Sequence, residues 1–291
     1  MVSVSRPGVL LAATLSGGLG LGRRPPGRAE GSTVTEDRRP TRRRGVESNL
    51  RTAAVWAEVA ELTAERQQEL GRSLRVLDLG GGTGGLAVPL AEQGHTVTVV
   101  DPSADALASL RRRSAESSAA TRISAVQGDA DSLADVLAPG SVDLVCCHGT
   151  LEVVDDPDST LARIADVLAP GGYLSLVTAQ RLAAVLARAL AGRFDQAQRI
   201  LGSDDGRWGD GDPMPRRFDQ SEIVARLGRS GFTVESIHGV RIFSDLVPGA
   251  LLDSEADRAE IVSLEAASVD DPERSVLSHL GTQLHALARR D

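Results

Sequence analysis

The sequence has few aromatic residues, no lysine, only two cysteines and no long apolar run. Phe, Trp and Tyr together make up 2% of the 291 residues, which argues against a surface that binds nucleic acid mainly by stacking on bases. The cysteines are adjacent, at Cys146 and Cys147, so a disulfide framework is excluded and a reducing compartment is indicated. No stretch of 18 apolar residues occurs, so no membrane-spanning helix is expected. All 32 basic residues are arginine, so contacts with anions must use arginine, histidine or the backbone.

Charge is distributed unevenly along the chain, and the change in charge predicts a domain boundary. Residues 1–44 contain nine arginines against three acidic residues, whereas residues 45–291 carry a net charge of −14. The first segment is rich in Gly, Pro, Ser and Thr, a composition typical of disorder. It is either an unstructured extension or a basic arm that binds RNA or another polyanion. No cleavage pattern follows its short apolar run, so export is not expected and a cytoplasmic protein is predicted.

Apolar runs of strand length alternate with helical patterns through the folded domain predicted over residues 45–291. After a helix over 49–70, buried strands are predicted at 75–79, 96–101, 123–129, 142–148 and 173–179. Residues 180–218 break the alternation and are interpreted as an insertion over the strand ends. Two further strands, at 233–243 and 281–289, complete the pattern. The predicted fold is α/β, a Rossmann-like doubly wound sheet of seven strands, mostly parallel with one antiparallel edge hairpin.

A glycine-rich turn follows the first predicted strand. Gly80-x-Gly82-x-x-Gly85 matches the pattern of nucleotide-cofactor sites, where glycines let the backbone approach the ligand and a helix start offers free N–H groups. Asp101 ends the second strand, where an acidic side chain can accept hydrogen bonds from two ribose hydroxyls. This pattern alone does not distinguish a nicotinamide cofactor from S-adenosylmethionine. Asp78 favours S-adenosylmethionine, because a carboxylate at this position would repel a pyrophosphate but attract the cationic methionine end of S-adenosylmethionine.

The order of the motifs resembles that of class I S-adenosylmethionine-dependent methyltransferases. The shared elements are VLDLGGGTG, the acid that ends strand two, the strand end VDLVCCHGTLEVVDDP and the turn in LAPGGYLSLV. A narrower resemblance, carried by NLRTAAVW, AGRFDQAQ, MPRRFD and GVRIFSD, is to the bacterial tRNA 5-carboxymethoxyuridine methyltransferases. It implies S-adenosylmethionine as cofactor, tRNA as partner and the methyl ester of the wobble nucleoside as product. The chain departs from that family at Val153, where an aromatic residue is usual, and in its basic extension.

The cofactor-binding residues are assigned partly from the glycine pattern and partly from the resemblance. The candidates are Arg51, Asp78, Gly80, Gly81, Asp101, Ala130 and His148. The resemblance implies that Arg51 contacts the methionine carboxylate, where a guanidinium can form two hydrogen bonds. It also places the backbone of Ala130 at the adenine, with Asp129 or Asp131 as an acceptor for the adenine amino group.

His148 and Arg241 are the predicted catalytic residues. His148 ends the fourth strand, where methyl group and acceptor would meet, and Arg241 lies in GVRIFSD, where it would hold a carboxylate acceptor. Arg216 and Arg217 are further candidates for that second role. Methyl transfer mainly requires alignment of the reacting atoms, and a carboxylate is already ionised at neutral pH and needs no general base. No metal is expected.

The insertion over residues 180–218 is predicted to act as a lid that excludes water. Residues 181–217 contain seven arginines against five aspartates, a local excess of positive charge that suits a phosphate backbone. The alternative is that the insertion is an ordinary solvated surface of mixed charge that binds no phosphate.

Three other functions remain open from the sequence. The first is a methyltransferase that acts on a small molecule, such as a quinone precursor or secondary metabolite, which the acidic body and scarce aromatics favour. The second is a protein that binds S-adenosylmethionine without catalysis. The third is a nicotinamide oxidoreductase, which Asp78 and the Pro-Gly-Gly turn disfavour.

Overall fold

A computed structural model describes residues 39–248, 251, 254–269 and 275–291. The basic extension predicted over residues 1–44 lies mostly outside these ranges and stays a prediction. The described helices are α1 (Arg39–Leu70), α2 (Ala87–Glu92), α3 (Ala104–Ala115), α4 (Leu133–Val136), α5 (Pro157–Val167), α6 (Arg181–Leu190), α7 (Phe194–Gly202), α8 (Gln220–Arg229) and α9 (Glu255–Val269). The described strands are β1 (Arg75–Leu79), β2 (Thr96–Asp101), β3 (Ile123–Gln127), β4 (Val142–His148), β5 (Leu168–Ala179), β6 (Phe232–Val240) and β7 (Gln283–Arg290). None of these helices is long and apolar enough to cross a membrane.

The seven strands form one sheet in the order β3-β2-β1-β4-β5-β7-β6. Strands β1 to β5 pair in parallel, whereas β7 runs antiparallel to both β5 and β6. The predicted fold class is therefore confirmed: the sheet is α/β, Rossmann-like and mostly parallel, with an antiparallel pair at one edge.

Both faces of the sheet are covered, which explains why the central strands are almost continuously apolar. In β1, Val76 belongs to one core cluster and Leu77 to the other, as the alternation of side chains along a strand requires. Helices α1, α2 and α3 pack on the face of Val76, and helices α4, α5 and α8 pack on the face of Leu77. The central strands are thus fixed from both sides, and only their ends are open to a ligand.

Several elements end at positions that the sequence pattern did not predict. Helix α1 begins at Arg39, ten residues before the predicted start. Strand β3 ends at Gln127 because Asp129 caps a short 3-10 turn with its side chain. Strand β6 ends at Val240, since Arg241 takes a left-handed φ of 61° that no strand accommodates.

The predicted insertion over residues 180–218 leaves and re-enters the fold at one point. The Phe218 amide donates to the Ala179 carbonyl at 2.9 Å, and the Arg181 amide donates to the Phe218 carbonyl at 3.0 Å. Phe218 is fully buried, which fixes the returning chain beside the carboxyl end of β5. Helices α6 and α7 lie between these two points, so the insertion is a helical excursion rather than an irregular loop.

Candidate active site

The strand order reverses between β1 and β4, which in an open α/β sheet places a crevice at their carboxyl ends. The chain adds β2 and β3 on one side of β1 and then β4 on the other. In open α/β sheets, ligands bind at such a switch point. The sheet brings four predicted positions to this edge: the glycine turn after β1, Asp101 at the end of β2, Ala130 after β3, and His148 at the end of β4.

Asp78 is a buried carboxyl group at this edge and lacks a complete set of partners. It is 3% exposed, and within the described part of the chain its Oδ2 has no hydrogen-bond partner. Burial, and then the charge of Asp101, raise the pKa of Asp78 to about 7. A buried carboxylate without a partner is costly, so the site lacks a cation or a hydrogen-bond donor that a ligand can supply.

The glycine turn wraps closely around Asp78. A Cβ on Gly81 would overlap the Asp78 carboxylate, and a Cβ on Gly80, whose φ is 75°, would overlap the Thr150 hydroxyl. The Gly80 amide donates to the Val100 carbonyl at 2.7 Å. Glycine is therefore required at both positions, and the absence of side chains leaves the backbone open to a ligand from the crevice.

Asp101 orders the turn and the helix that follows it. Its Oδ2 accepts from the Gly82 amide at 2.9 Å, and its Oδ1 accepts from the Ser103 amide at 2.8 Å. Ser103 in turn caps α3 through its hydroxyl, which accepts from the Ala106 amide. Each carboxylate oxygen of Asp101 keeps a further lone pair, so the side chain can still accept from two ribose hydroxyls.

The loop after β3 is held by hydrogen bonds of its own polar side chains. Ala130 is 4% exposed. Asp129 accepts from the amides of Asp131 and Ser132, and the Ser132 hydroxyl accepts from the Asp129 amide. The exposed Asp131 pairs with Arg163 at 3.2 Å. Both acids predicted as acceptors for an adenine amino group thus have structural partners, and Asp129 acts as a cap.

His148 is neutral and tied to the interior. Its Nε2 lies 2.8 Å from the Ser175 hydroxyl in the neighbouring strand β5. Burial, followed by the nearby His285, lowers the pKa of His148 to about 3. At neutral pH the ring is therefore uncharged, and an imidazole with so low a pKa is a poor proton acceptor.

Arg241 is not brought beside His148. It follows the end of β6, which is three strands away from β4 in the sheet, a separation of about 14 Å at the usual strand spacing. Its guanidinium pairs with Asp245 at 2.7 Å, in a loop that Glu265 holds by accepting from the Arg241, Phe243 and Ser244 amides. Arg51 lies on α1, and its side chain falls outside the described residues, so its predicted contact stays a prediction.

The two other candidate arginines differ in what they contact. Arg217 is buried and forms a two-pronged ion pair with Asp212, at 2.7 and 3.0 Å, and it also donates to the Gly206 carbonyl. Arg217 therefore stabilises the insertion, and few of its N–H groups remain to bind a ligand. Arg216 is half-buried and donates to the Val154 carbonyl at 3.0 Å, in the loop that follows His148. Within the described chain, no acidic side chain pairs with Arg216.

The sequence pattern missed the residues behind His148. Ser175 in β5, His285 in β7 and Glu58 in α1 form a polar cluster with His238 in β6. Ser175 and His285 are separated by 110 positions in the chain, so only the strand order and register bring them together. Thr150, whose hydroxyl donates to the Leu79 carbonyl and packs on the glycine turn, also carried no sequence signal.

The crevice fits a cationic nucleoside cofactor on two observations. Asp78 has an unsatisfied buried oxygen, and Gly80 and Gly81 keep clear a cradle that any Cβ would fill. An anionic pyrophosphate would meet the Asp78 carboxyl group here, whereas a cation would relieve it.

Comparison with known proteins agrees with this geometry. A family model described as a methyltransferase domain matches residues 77–176. The tRNA 5-carboxymethoxyuridine methyltransferase of Escherichia coli (strain K12) is 32% identical over 196 residues, which cover 67% of this chain and 72% of that protein. Ubiquinone biosynthesis O-methyltransferase of Xanthomonas euvesicatoria pv. vesicatoria is 33% identical over 170 residues, 57% of this chain and 65% of that protein.

Two solved structures share the fold. An S-adenosylmethionine-dependent methyltransferase from Mesorhizobium loti has a TM-score of 0.52 and 23% identity, covering 75% of this chain and 91% of that chain. Magnesium protoporphyrin IX methyltransferase from Synechocystis PCC 6803, with bound SAH, has a TM-score of 0.53 and 15% identity, covering 89% and 90%.

The switch-point crevice, its glycine cradle and these relatives identify the chain as a class I S-adenosylmethionine-dependent methyltransferase. It is an enzyme, and its cofactor is S-adenosylmethionine, so the nicotinamide alternative is set aside. Within this class, two thirds of the chain is similar to the tRNA 5-carboxymethoxyuridine methyltransferase of E. coli.

We expect Asp78→Asn to stabilise the cofactor-free protein above neutral pH while weakening cofactor binding. The shift of the Asp78 pKa from 3.8 to about 7 corresponds to about 4 kcal/mol. Because the folded-state pKa is raised, this cost is absent below the unfolded pKa, grows from about pH 4 to pH 7 and is then constant. Urea denaturation should show the stability advantage of the variant growing over that interval. Asp135→Asn, which changes an exposed acid, is the matched control, and an equal pH profile in both variants would contradict the assignment.

Proposed function

We propose that this enzyme transfers a methyl group from S-adenosylmethionine to the carboxylate of 5-carboxymethoxyuridine at the tRNA wobble position, forming a methyl ester. The 32% identity to the E. coli tRNA enzyme over 196 residues supports this acceptor. In this proposal, Asp78 faces the cationic methionine end, Asp101 accepts from the ribose hydroxyls, and the backbone of the glycine turn and Ala130 borders the nucleoside. Arg51 pairs with the methionine carboxylate.

The observation that carries the carboxylate assignment is the state of His148. His148 lies at the end of β4, where the methyl group and the acceptor are expected to meet. Its lowered pKa of about 3 makes it a weak base. A hydroxyl acceptor must lose a proton during transfer, whereas a carboxylate is already ionised and loses none. An anion and a sulfonium become two neutral groups during the reaction, so a dry site favours the transition state over the charged reactants.

Arg216 is better placed than Arg241 to orient the acceptor carboxylate. It contacts the loop after His148 through the Val154 carbonyl and has no acidic partner within the described residues. Arg241 is occupied by Asp245. A single guanidinium contact to one carboxylate oxygen would leave the other oxygen free to attack, so the acceptor is oriented without being neutralised. A cytoplasmic location would follow from a tRNA substrate and stays a prediction.

Nucleosides from tRNA of a strain that lacks this gene should contain accumulated 5-carboxymethoxyuridine and no methyl ester. Mass spectrometry measures both nucleosides. The wild-type gene should restore the methyl ester in the deletion strain. The Asp101→Ala gene should not restore it, because the substitution removes the ribose contacts and disorders the glycine turn. An unchanged nucleoside profile in the deletion strain would contradict the proposed acceptor.

A small-molecule acceptor is the second candidate, and the charge of the insertion favours it. Two of its seven arginines are buried in ion pairs: Arg181 with Asp219, and Arg217 with Asp212. Asp212 is buried as well, so the more accessible charged side chains of residues 181–217 are five arginines and four aspartates. The accessible excess of positive charge is therefore smaller than the sequence indicated. The similarity to a ubiquinone biosynthesis O-methyltransferase is consistent with this alternative.

Charge reversal on the insertion distinguishes the two acceptors. Arg193 is exposed at the start of α7, and Arg193→Glu should weaken tRNA binding about threefold to tenfold and reduce its dependence on salt, as loss of a phosphate contact requires. Arg112→Glu makes the same charge change on the exposed side of α3 and should leave tRNA binding unchanged. Filter-binding assays across salt concentrations measure both, and equal effects of the two variants would count against tRNA docking on the insertion.

A further inference from the structure

A line of polar side chains runs from the active site through the interior of the sheet. It begins at His148 in β4, whose Nε2 lies 2.8 Å from the Ser175 hydroxyl in β5. The same hydroxyl lies 2.9 Å from Nε2 of His285 in β7. Ser175 and His285 are completely buried, so water does not share in these contacts. The three side chains form one continuous hydrogen-bonded path across three adjacent strands.

The path ends at Glu58 on helix α1. His285 Nδ1 lies 3.3 Å from Glu58 Oε2, and His238 Nε2 lies 2.7 Å from Glu58 Oε1. Burial raises the pKa of Glu58, but hydrogen bonding and electrostatic attraction to the two histidines outweigh it and lower the pKa to about 2. Glu58 is therefore a carboxylate at neutral pH and can only accept hydrogen bonds.

The charge of Glu58 sets the direction of every hydrogen bond along the path. An unprotonated Nδ1 would turn its lone pair toward a carboxylate oxygen, so His285 carries its proton on Nδ1. If His285 is neutral, it carries no proton on Nε2, so its Nε2 accepts from the Ser175 hydroxyl, and the Ser175 oxygen accepts from His148 Nε2–H. A neutral imidazole carries one ring proton, so His148 is left with an unprotonated Nδ1.

We propose that Glu58, His285 and Ser175 are positioning residues that hold His148 in the tautomer with its proton on Nε2, and so present Nδ1 to the cofactor as a hydrogen-bond acceptor. S-adenosylmethionine carries an ammonium group that can donate to such a nitrogen. The opposite tautomer would present an N–H, which attracts an anion and repels a cation. An acceptor nitrogen suits the cationic end of the cofactor, and this holds for any methyl acceptor.

A metal ion is the competing use of the same cluster. Glu58, His238 and His285 offer ligand atoms within 4.8 Å of one another, a donor set that zinc accepts. Zinc on His285 Nδ1 would leave the proton on His285 Nε2, which would reverse each hydrogen bond and place the His148 proton on Nδ1. The hydrogen-bond arrangement is favoured because the described cluster offers three ligands, whereas a structural zinc site takes four, and because His238 Nε2 already lies 2.7 Å from a Glu58 oxygen.

Nitrogen NMR of the full chain, labelled with ¹⁵N only in histidine, tests the tautomer directly. The chain contains five histidines, so the ring signals can be resolved, and loss of one set in His148→Gln assigns that ring. After chelator treatment, we expect His148 to be protonated on Nε2. A proton on Nδ1 would overturn the proposal, as would stoichiometric zinc that survives purification and reverses the tautomer.

Cofactor binding tests whether the path acts on function. Ser175→Ala interrupts the path with a small change and should raise the Kd for S-adenosylmethionine about fivefold, the effect of one misdirected hydrogen bond. His238→Gln alters the same carboxylate but lies off the path, so it should leave both the His148 tautomer and the Kd unchanged. Calorimetry measures binding without any methyl acceptor, so this test is independent of the proposed tRNA substrate.

Two results would contradict the positioning role. The first is an unchanged Kd in Ser175→Ala that retains wild-type thermal stability. The second is an equal loss of affinity in His238→Gln, which would indicate general destabilisation of the cluster. If Ser175→Ala does not fold, the tautomer observed in the wild-type protein still decides the direction of the path.

Discussion

The buried carboxyl group of Asp78 is the constraint on which the active site depends. It lies at the carboxyl end of β1, surrounded by protein and with one oxygen unpartnered within the described chain. Burial raises the pKa of Asp78 to about 7, so the cofactor-free site is poised between a neutral acid and a carboxylate. A cation in the crevice shifts this balance toward the carboxylate. The charge of Asp78 therefore favours a cationic ligand over an anionic one, independently of the ligand's shape.

The surrounding fold fixes the position of this group and leaves it accessible. The glycine turn closes over Asp78 without side chains, and Asp101 holds the turn through the Gly82 amide. Behind the crevice, the path from His148 ends at a second carboxylate, Glu58 on α1, which contacts two histidines.

Local sequence patterns predicted the strands, their parallel arrangement and the residues at the ends of β1, β2 and β4. Each of these depends on neighbours in the chain: apolar runs, glycines and a terminal acid. Contacts between distant segments were not predictable. His285 meets Ser175 only because β7 inserts antiparallel between β5 and β6. Likewise, Arg217 forms an ion pair with Asp212, and Arg241 forms one with Asp245. Composition alone does not distinguish an arginine in such an ion pair from one that is free to bind a ligand.

The most direct test of the Asp78 constraint is calorimetric titration with S-adenosylmethionine at about pH 6 in two buffers of different ionisation enthalpy. At this pH the free Asp78 is mostly protonated, since its pKa is about 7. Binding of a cation beside it should release close to one proton in the wild-type protein and none in Asp78→Asn. Binding with no proton release in the wild-type protein would show that the cofactor's positive charge does not meet Asp78, and would contradict the account.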